Sequence, residues 1–232
     1  MIAPPLVSSF PAASAIGVAA VLLTIAHLLV VKRLPEPNPV PNDAFAKPNY
    51  ASLVTRPAAL GLATFGGVLS VLADRTQSDT WPMWLVYATG VGVLVWVDAR
   101  TTYLPRSLTR LCWLELLIAL AVVAVTSSDA PTDLVLHVAI GAAGATAVLW
   151  LVWRLTGGLG FGDVRLAPIV GGMAALGGVQ GWLAAMLLGT SAGALTGLGI
   201  SLWRRRRPSS LGSSFAYGPA LWAGPWLALL LR

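Results

Sequence analysis

The sequence predicts an all-α protein: a polytopic transmembrane helix bundle of eight spans, or seven if the sixth and seventh are one. Three observations predict it. Of 232 residues, 56% are hydrophobic and only 10% charged, where soluble domains carry about 25% charged residues. Mean hydropathy is +0.77. No hydrophilic stretch exceeds roughly 25 residues, which leaves no room for a separate soluble domain. Residues 1–232 therefore read as a single membrane domain, with a Pro-rich loop at 32–56 inside it.

A membrane helix needs about 20 apolar residues. On that length the spans fall at 11–31, 57–73, 81–97, 108–126, 134–153, 164–179, 182–203 and 215–231. The first has no basic region before it, and Lys32-Arg33 follow it. That order is opposite to a cleavable signal peptide, so it reads as a span with its N-terminus outside. The loop after it carries five prolines in "RLPEPNPVPNDAFAKPNY" and is expected to be extended or irregular.

Charge supplies the orientation. If that first loop is cytoplasmic, the inner segments collect Lys32, Arg33, Lys47, Arg56, Arg100, Arg106, Arg110, Arg154, Arg165 and Arg204 to Arg207. These are 13 of the 15 basic residues, leaving only Arg75 and Arg232 outside. The positive-inside rule is satisfied, and both termini lie outside. The net charge of +6 sits between apolar runs, which fits anionic lipid and argues against nucleic acid. The Arg204 to Arg207 run reads as a lipid anchor and topology lock. Six of the ten tryptophans, Trp81, Trp84, Trp96, Trp113, Trp203 and Trp222, fall near span ends and fit interfacial belts.

Small residues mark helix contacts. Gly189, Gly193 and Gly197 lie at four-residue spacing on one face, and Gly141 with Ala145 and Gly171 with Ala175 repeat that pattern. Such stripes let helices approach closely. The single cysteine, Cys112, excludes an internal disulfide and a CxxC metal site. It reads as packing.

Six of the nine acids lie in or beside loops. The other three, Asp98, Glu115 and Asp163, need an explanation, because a charge in a membrane segment is costly and marks function by default. Asp98 ends the third span and Asp163 opens the sixth. On the assigned topology both lie at one depth, on the cytoplasmic side, 65 positions apart. Two nearby carboxylates tend to share a proton. That arrangement suits an aspartic protease, in which one member activates water and the other protonates the scissile carbonyl. Asp163 begins a helix, where the dipole favours an anion, and Asp98 ends one, where it does not. Asp163 is thus expected to be the charged base and Asp98 the proton carrier. Gly160 and Gly162 flank Phe161 and are expected to allow positive φ and clearance for a substrate backbone. Glu115 is expected to pair with a neighbour such as Arg110 or to snorkel to the interface. His27 and His137 are expected to bond within the bundle without meeting. No metal or cofactor is expected.

These residues resemble a known family. "GFGDVRL", Gly160 to Leu166, resembles the GxGD-V-K-L signature of the type IV prepilin peptidases, GxGD intramembrane aspartic peptidases. Asp98 followed by Leu104-Pro105 resembles the family's first aspartate and its Ile-Pro-Asn turn. "SFAYGPAL", Ser214 to Leu221, resembles the Pro-Phe-Gly-Pro stretch that opens the last span. The resemblance covers residues 57–232. It implies a multi-pass enzyme of the bacterial cytoplasmic (inner) membrane that removes the short basic leader of prepilins or pilin-like proteins. Asp98 and Asp163 would be catalytic, with Gly160, Phe161, Gly162, Arg165 and Pro105 shaping the site.

Three departures stand out. Arg106 replaces the family's Asn, and Arg165 replaces its Lys, keeping charge but not point-like geometry. The two CxxC pairs of larger members are missing from the 32–56 loop. Peptidase activity without a zinc site is therefore expected, and N-methylation of the new terminus is not. Two other readings compete: a small proton- or ion-coupled transporter using the two carboxylates, and a catalytically silent pilus-assembly factor. Against the first, no inverted repeat is visible; against the second, both aspartates are intact.

Overall fold

The structure is a computed structural model and describes residues 10–36, 48–76, 78–126, 131–206 and 215–231. Among these residues every regular element is helical: α1 (Phe10–Lys32), the short α2 (Tyr50–Leu53), α3 (Arg56–Thr76), α4 (Trp81–Val86), α5 (Gly92–Thr101), α6 (Arg106–Thr126), α7 (Pro131–Thr156), α8 (Phe161–Ala175), α9 (Gly178–Arg206) and α10 (Gly218–Leu230). A π-helical turn, Tyr87–Val91, joins α4 to α5, so residues 81–101 form one continuous apolar rod. Residues 37–47 of the 32–56 loop, with Lys47, lie outside the described residues, as do Asp129, Arg207, Ser214, Arg232 and the side chains of Arg75 and Arg204 to Arg206.

Among the described residues six helices are long and apolar enough to cross a membrane: α1, α3, the α4–α5 rod, α6, α7 and α9. The expected sixth and eighth spans are shorter, at 15 residues for α8 and 13 for α10. They are real helices but not full-length spans. The sixth and seventh are separate, because Gly178 takes φ +66 just beyond the end of α8 and redirects the chain into α9. Only glycine adopts that conformation without penalty.

The rod is the centre of the bundle, buried along nearly its whole length, whereas α7 and α9 expose most of their surface. Apolar side chains facing outward, such as Val125, Leu155 and Leu195, suit a lipid surround. Buried hydroxyls bond back into their own helices, Thr24 to the Ala20 carbonyl, Ser70 to Gly66 and Thr89 to Leu85, each at 2.7–2.8 Å. No water is available there to satisfy them.

Small residues set the closest contacts. A Cβ on Gly141 would lie 2.5 Å from that of Ala175, and one on Gly171 would collide with Ala145 and the Gly141 carbonyl. The two small-residue patterns are therefore one interface, α7 on α8. The Gly189–Gly197 stripe does the same for α9 on α10 and the segment before it: Gly189 faces Ala220 and Gly224, Gly193 lies under the Tyr217 ring, and Gly197 lies under Phe215.

The tryptophan expectation needs correction. Trp84 and Trp222 are buried, at 3% and 9% exposure, and stack with Tyr87 and Trp226. Tyr87 donates its hydroxyl to the Trp222 carbonyl at 2.8 Å, and Trp222 returns its indole N–H to the Tyr87 carbonyl at 2.9 Å. This reciprocal pair locks α10 to the rod. The polar ends of Tyr87 and Trp222 satisfy each other rather than an interface, whereas the Trp84 and Trp226 indole nitrogens are buried with no hydrogen-bond partner among the described residues. Trp113 and Trp203 do face outward.

Candidate active site

Three chain turns build the site. The rod ends at Thr102, which takes the left-handed conformation (φ 58) and donates its N–H to the Asp98 carbonyl at 2.6 Å. This is an αL helix end, and it places Asp98 in the last turn. The chain then passes Leu104-Pro105 into α6, where the Pro105 carbonyl accepts both the N–H and the hydroxyl of Thr109. Gly160, extended at φ −73, caps α8, and Asp163 in its first turn donates its N–H to the Gly160 carbonyl at 3.0 Å. Gly218 opens α10.

Asp98 and Asp163 meet at one cavity of about 860 Å³. Pro105, Gly160, Phe161, Gly162 and Arg165 line the same cavity, so every site residue singled out in the sequence is at this place. Both carboxylates are buried, Asp98 at 2% exposure and Asp163 at 6%, and the charge of Asp163 acts directly on Asp98. Their hydrogen bonding differs. Asp98 Oδ2 accepts the Gly218 N–H at 3.1 Å. Asp163 Oδ1 is buried with no hydrogen-bond partner among the described residues.

The Gly218 contact was not foreseen. It sets the N-terminus of α10 against Asp98 and counters the unfavourable dipole at the end of α5. A backbone donor carries no side-chain signature. The Gly-Pro opening of the last span, Gly218-Pro219, was the available clue. Gly218 also has to be small, since a Cβ there would lie 2.6 Å from Asp98 Oδ2.

The roles expected of Gly160 and Gly162 are corrected. Neither has positive φ; Gly157 does, at +62. Gly162 makes room for a residue of this chain, because a Cβ on it would lie 3.0 Å from Leu104 Cδ1. That packing holds the Asp163 helix against the Leu104-Pro105 turn. Gly160 gives clearance to Asp163 itself, whose Oδ2 would lie 3.3 Å from an added Cβ.

Charge is distributed unevenly around the cavity. Arg165 stacks over the Phe161 ring at 5.0 Å and shares the cavity lining with Arg106 and Arg110. Trp113 donates its indole N–H to the Arg165 carbonyl at 3.2 Å, tying α6 to α8. Glu36 and Tyr50 also line the cavity, and Glu36 accepts the Tyr50 N–H at 2.9 Å. Burial, with the nearby Glu36 and Tyr103, pushes the Tyr50 phenol up to about 12. Neither Glu36 nor Tyr50 was singled out in the sequence, since loop residues beside a Pro-rich run carry no periodicity.

Glu115 does not line the cavity. It bonds His27 on α1 at 2.9 Å, which overturns the expected pairing with Arg110 or snorkelling to the surface. His137 bonds the Asp133 carbonyl and does not join them. Asp74, expected in a loop, is also buried, at 8% exposure.

The chain was compared with known proteins. No family model matches it, and no solved structure does. Among curated proteins it is 36% identical over 176 residues to a prepilin leader peptidase/N-methyltransferase of Pectobacterium carotovorum subsp. carotovorum. The match takes in 70% of this chain and 56% of that relative's length. The chain spans little more than half the length of that relative, and in sequence, all-helical fold and multiple membrane-length helices it is similar to the prepilin peptidases.

Proposed function

We propose that this chain is an aspartic endopeptidase. It would remove the short basic leader of type IV prepilins or pilin-like proteins at the cytoplasmic face of a bacterial inner membrane. One observation carries the reading: two carboxylates 65 positions apart in sequence are both buried in the lining of one cavity. A buried pair of like charges has little structural benefit, and perturbed carboxylates in a cleft are the usual mark of acid–base chemistry.

The hydrogen bonding supports a division of labour. Asp163 Oδ1, unpartnered, is free to take a proton from water. Asp98, oriented by the Gly218 N–H, carries a proton towards the scissile carbonyl. The water oxygen bonds to that carbon, the C–N bond then breaks, and the amine nitrogen leaves with a proton from the pair. Glu36 offers a basic leader its one carboxylate on the cavity wall away from the aspartates' helices. The 13 basic residues placed on the inner segments support the cytoplasmic location.

Cleavage alone is assigned. The relative's printed name includes N-methyltransferase, but the 32–56 loop of this chain has no cysteine and is Pro-rich. The test is co-expression with a prepilin, following leader removal on a gel for the wild type, Asp98→Ala and Asp163→Ala. Loss of processing in both variants, with normal membrane insertion, is expected. Processing that survives both substitutions would sink the mechanism. Mass spectrometry of the mature N-terminus, expected unmethylated, checks the second assignment.

A further inference from the structure

A second cluster of reactive side chains lies deeper in the bundle, and none of its members lines the cavity described above. His27 on α1 and Cys112 and Glu115 on α6 bring Nε2 or Nδ1, Sγ and a carboxylate oxygen within 4.8 Å of one another. Cys112 and Glu115 are three apart on one helix, so they share a face. His27 is 2% exposed and Cys112 fully buried.

The hydrogen bonds determine what can sit between them. His27 Nδ1 lies 2.8 Å from the Leu23 carbonyl. A carbonyl only accepts, so Nδ1 carries the hydrogen. In the neutral ring Nε2 is then a lone pair, and it faces a carboxylate oxygen, Glu115 Oε2, at 2.9 Å. Two acceptors at that distance require a positive species between or beside them, a proton or a metal ion. A proton satisfies the pair as an ion pair; the thiol beside them supplies the third donor atom that a metal ion would use. A histidine anchored through its other nitrogen to a backbone carbonyl is also how metal-bound imidazoles are held.

The backbone of the rod also packs closely against the cluster. Gly90, in the π-helical turn, faces the cluster: a Cβ there would lie 2.7 Å from His27 Nε2 and 3.0 Å from Glu115 Oε2. Single π-turns often occur at functional sites. Tetrahedral zinc bonds of about 2.0–2.3 Å set donor atoms roughly 3.3–3.8 Å apart, inside the span from 2.9 to 4.8 Å seen here.

We propose that His27, Cys112 and Glu115 bind one divalent ion of the zinc type, through neutral imidazole, thiolate and carboxylate. Binding transfers the thiol proton to water, and the two anionic ligands neutralise the ion's charge, so no net charge is buried. The ion clips α1 to α6. Gly90 and Asp98 are eight residues apart on the rod, about 12 Å by helical rise, so the clip is a structural site separate from the aspartates. The inference does not depend on the peptidase assignment.

Cys112 is the only cysteine, so any thiolate-to-metal signal reports this site alone. The full chain, purified in detergent with its affinity tag removed and stripped with a chelator, is titrated with Co²⁺. Expected are about one equivalent bound, a sulfur-to-cobalt charge-transfer band, tetrahedral d–d absorption, and displacement of Co²⁺ by Zn²⁺. Cys112→Ser should abolish the charge-transfer band, and Glu115→Gln should weaken binding at least about tenfold. A wild-type protein that shows no such band at saturating Co²⁺, or a band that persists in Cys112→Ser, overturns the site. The wild-type result stands whether or not the variants fold.

Discussion

Gly193 tests how the site is supported from outside. It lies on α9 directly under the Tyr217 ring, and a Cβ there would sit 2.5 Å from Tyr217 Cζ. The ring cannot remain in place in Gly193→Ala. Its hydroxyl, which donates to the Thr190 carbonyl at 3.0 Å, moves with it. Overpacking of this kind costs about 1–3 kcal/mol, and the hydroxyl bond about 0.5–1.5 kcal/mol. The better helix propensity of alanine returns about 1 kcal/mol, so the net loss is about 0.5–3.5 kcal/mol. Gly199 on the same helix is the control, because a Cβ there meets nothing within 4 Å. Gly199→Ala should be neutral or gain up to about 1 kcal/mol. At about 2–4 °C per kcal/mol for a chain of this size, apparent Tm in detergent should fall by about 1–14 °C in the first variant and hold or rise in the second. Scan rates must match, since unfolding of such a protein is under kinetic control. The next residue, Gly218, holds Asp98, so prepilin cleavage by Gly193→Ala should also drop, by about 10²-fold for a displacement near 1 Å. Equal melting temperatures for the two variants would refute the packing argument, and unchanged cleavage would refute its link to Asp98.

Three further outcomes are expected. Asp98→Asn and Asp163→Asn should each lower prepilin cleavage by about 10²–10⁴-fold while leaving melting nearly unchanged, read on a gel and by a thermal scan. Tyr87→Phe removes one arm of the reciprocal bond to Trp222 and should cost about 0.5–1.5 kcal/mol; a double-mutant cycle with Trp222→Phe should show coupling of the same sign. The folded Tyr50 phenol titrates at about 12, above its ordinary value of 10.0, so it binds its proton more tightly folded than unfolded. Its contribution is therefore fully present below pH 10 and is lost as pH rises towards 12. The slope of stability against pH in that window should flatten in Tyr50→Phe, measured by unfolding at successive alkaline pH values.

Much of the architecture was legible because apolar run length and loop charge are local properties. Five of the eight expected spans, from 11–31 through 134–153, are full-length helices, as is the seventh. The alternation of faces was enough to put Asp98 and Asp163 at the same end of the bundle. What one helix meets on another is a different matter. Periodicity does not say which neighbours touch, so Glu115 was matched with a residue on its own helix, whereas its partner, His27, lies 88 positions away. Tryptophan suits both interfaces and cores, and position near a span end could not separate Trp84 and Trp222 from Trp113. Glycine beside a carboxylate suggested room for a substrate, but Leu104 takes the space at Gly162. The short length of α8 was already visible in its 164–179 run, which nearly joins that of α9.

That short helix has a consequence for hydration. Fifteen residues rise only about 22 Å, against a hydrocarbon layer of about 30 Å. A lipid-facing helix would answer this mismatch by tilting or by thinning the bilayer. α8 is enclosed by α7, α9 and α10 and buried along most of its length, so lipid cannot follow its end. The cavity of about 860 Å³ lies at the start of the helix, walled by protein and with Asp163 in its lining. In a bilayer wider than α8, that cavity is the route by which water would reach the carboxylate without crossing hydrocarbon.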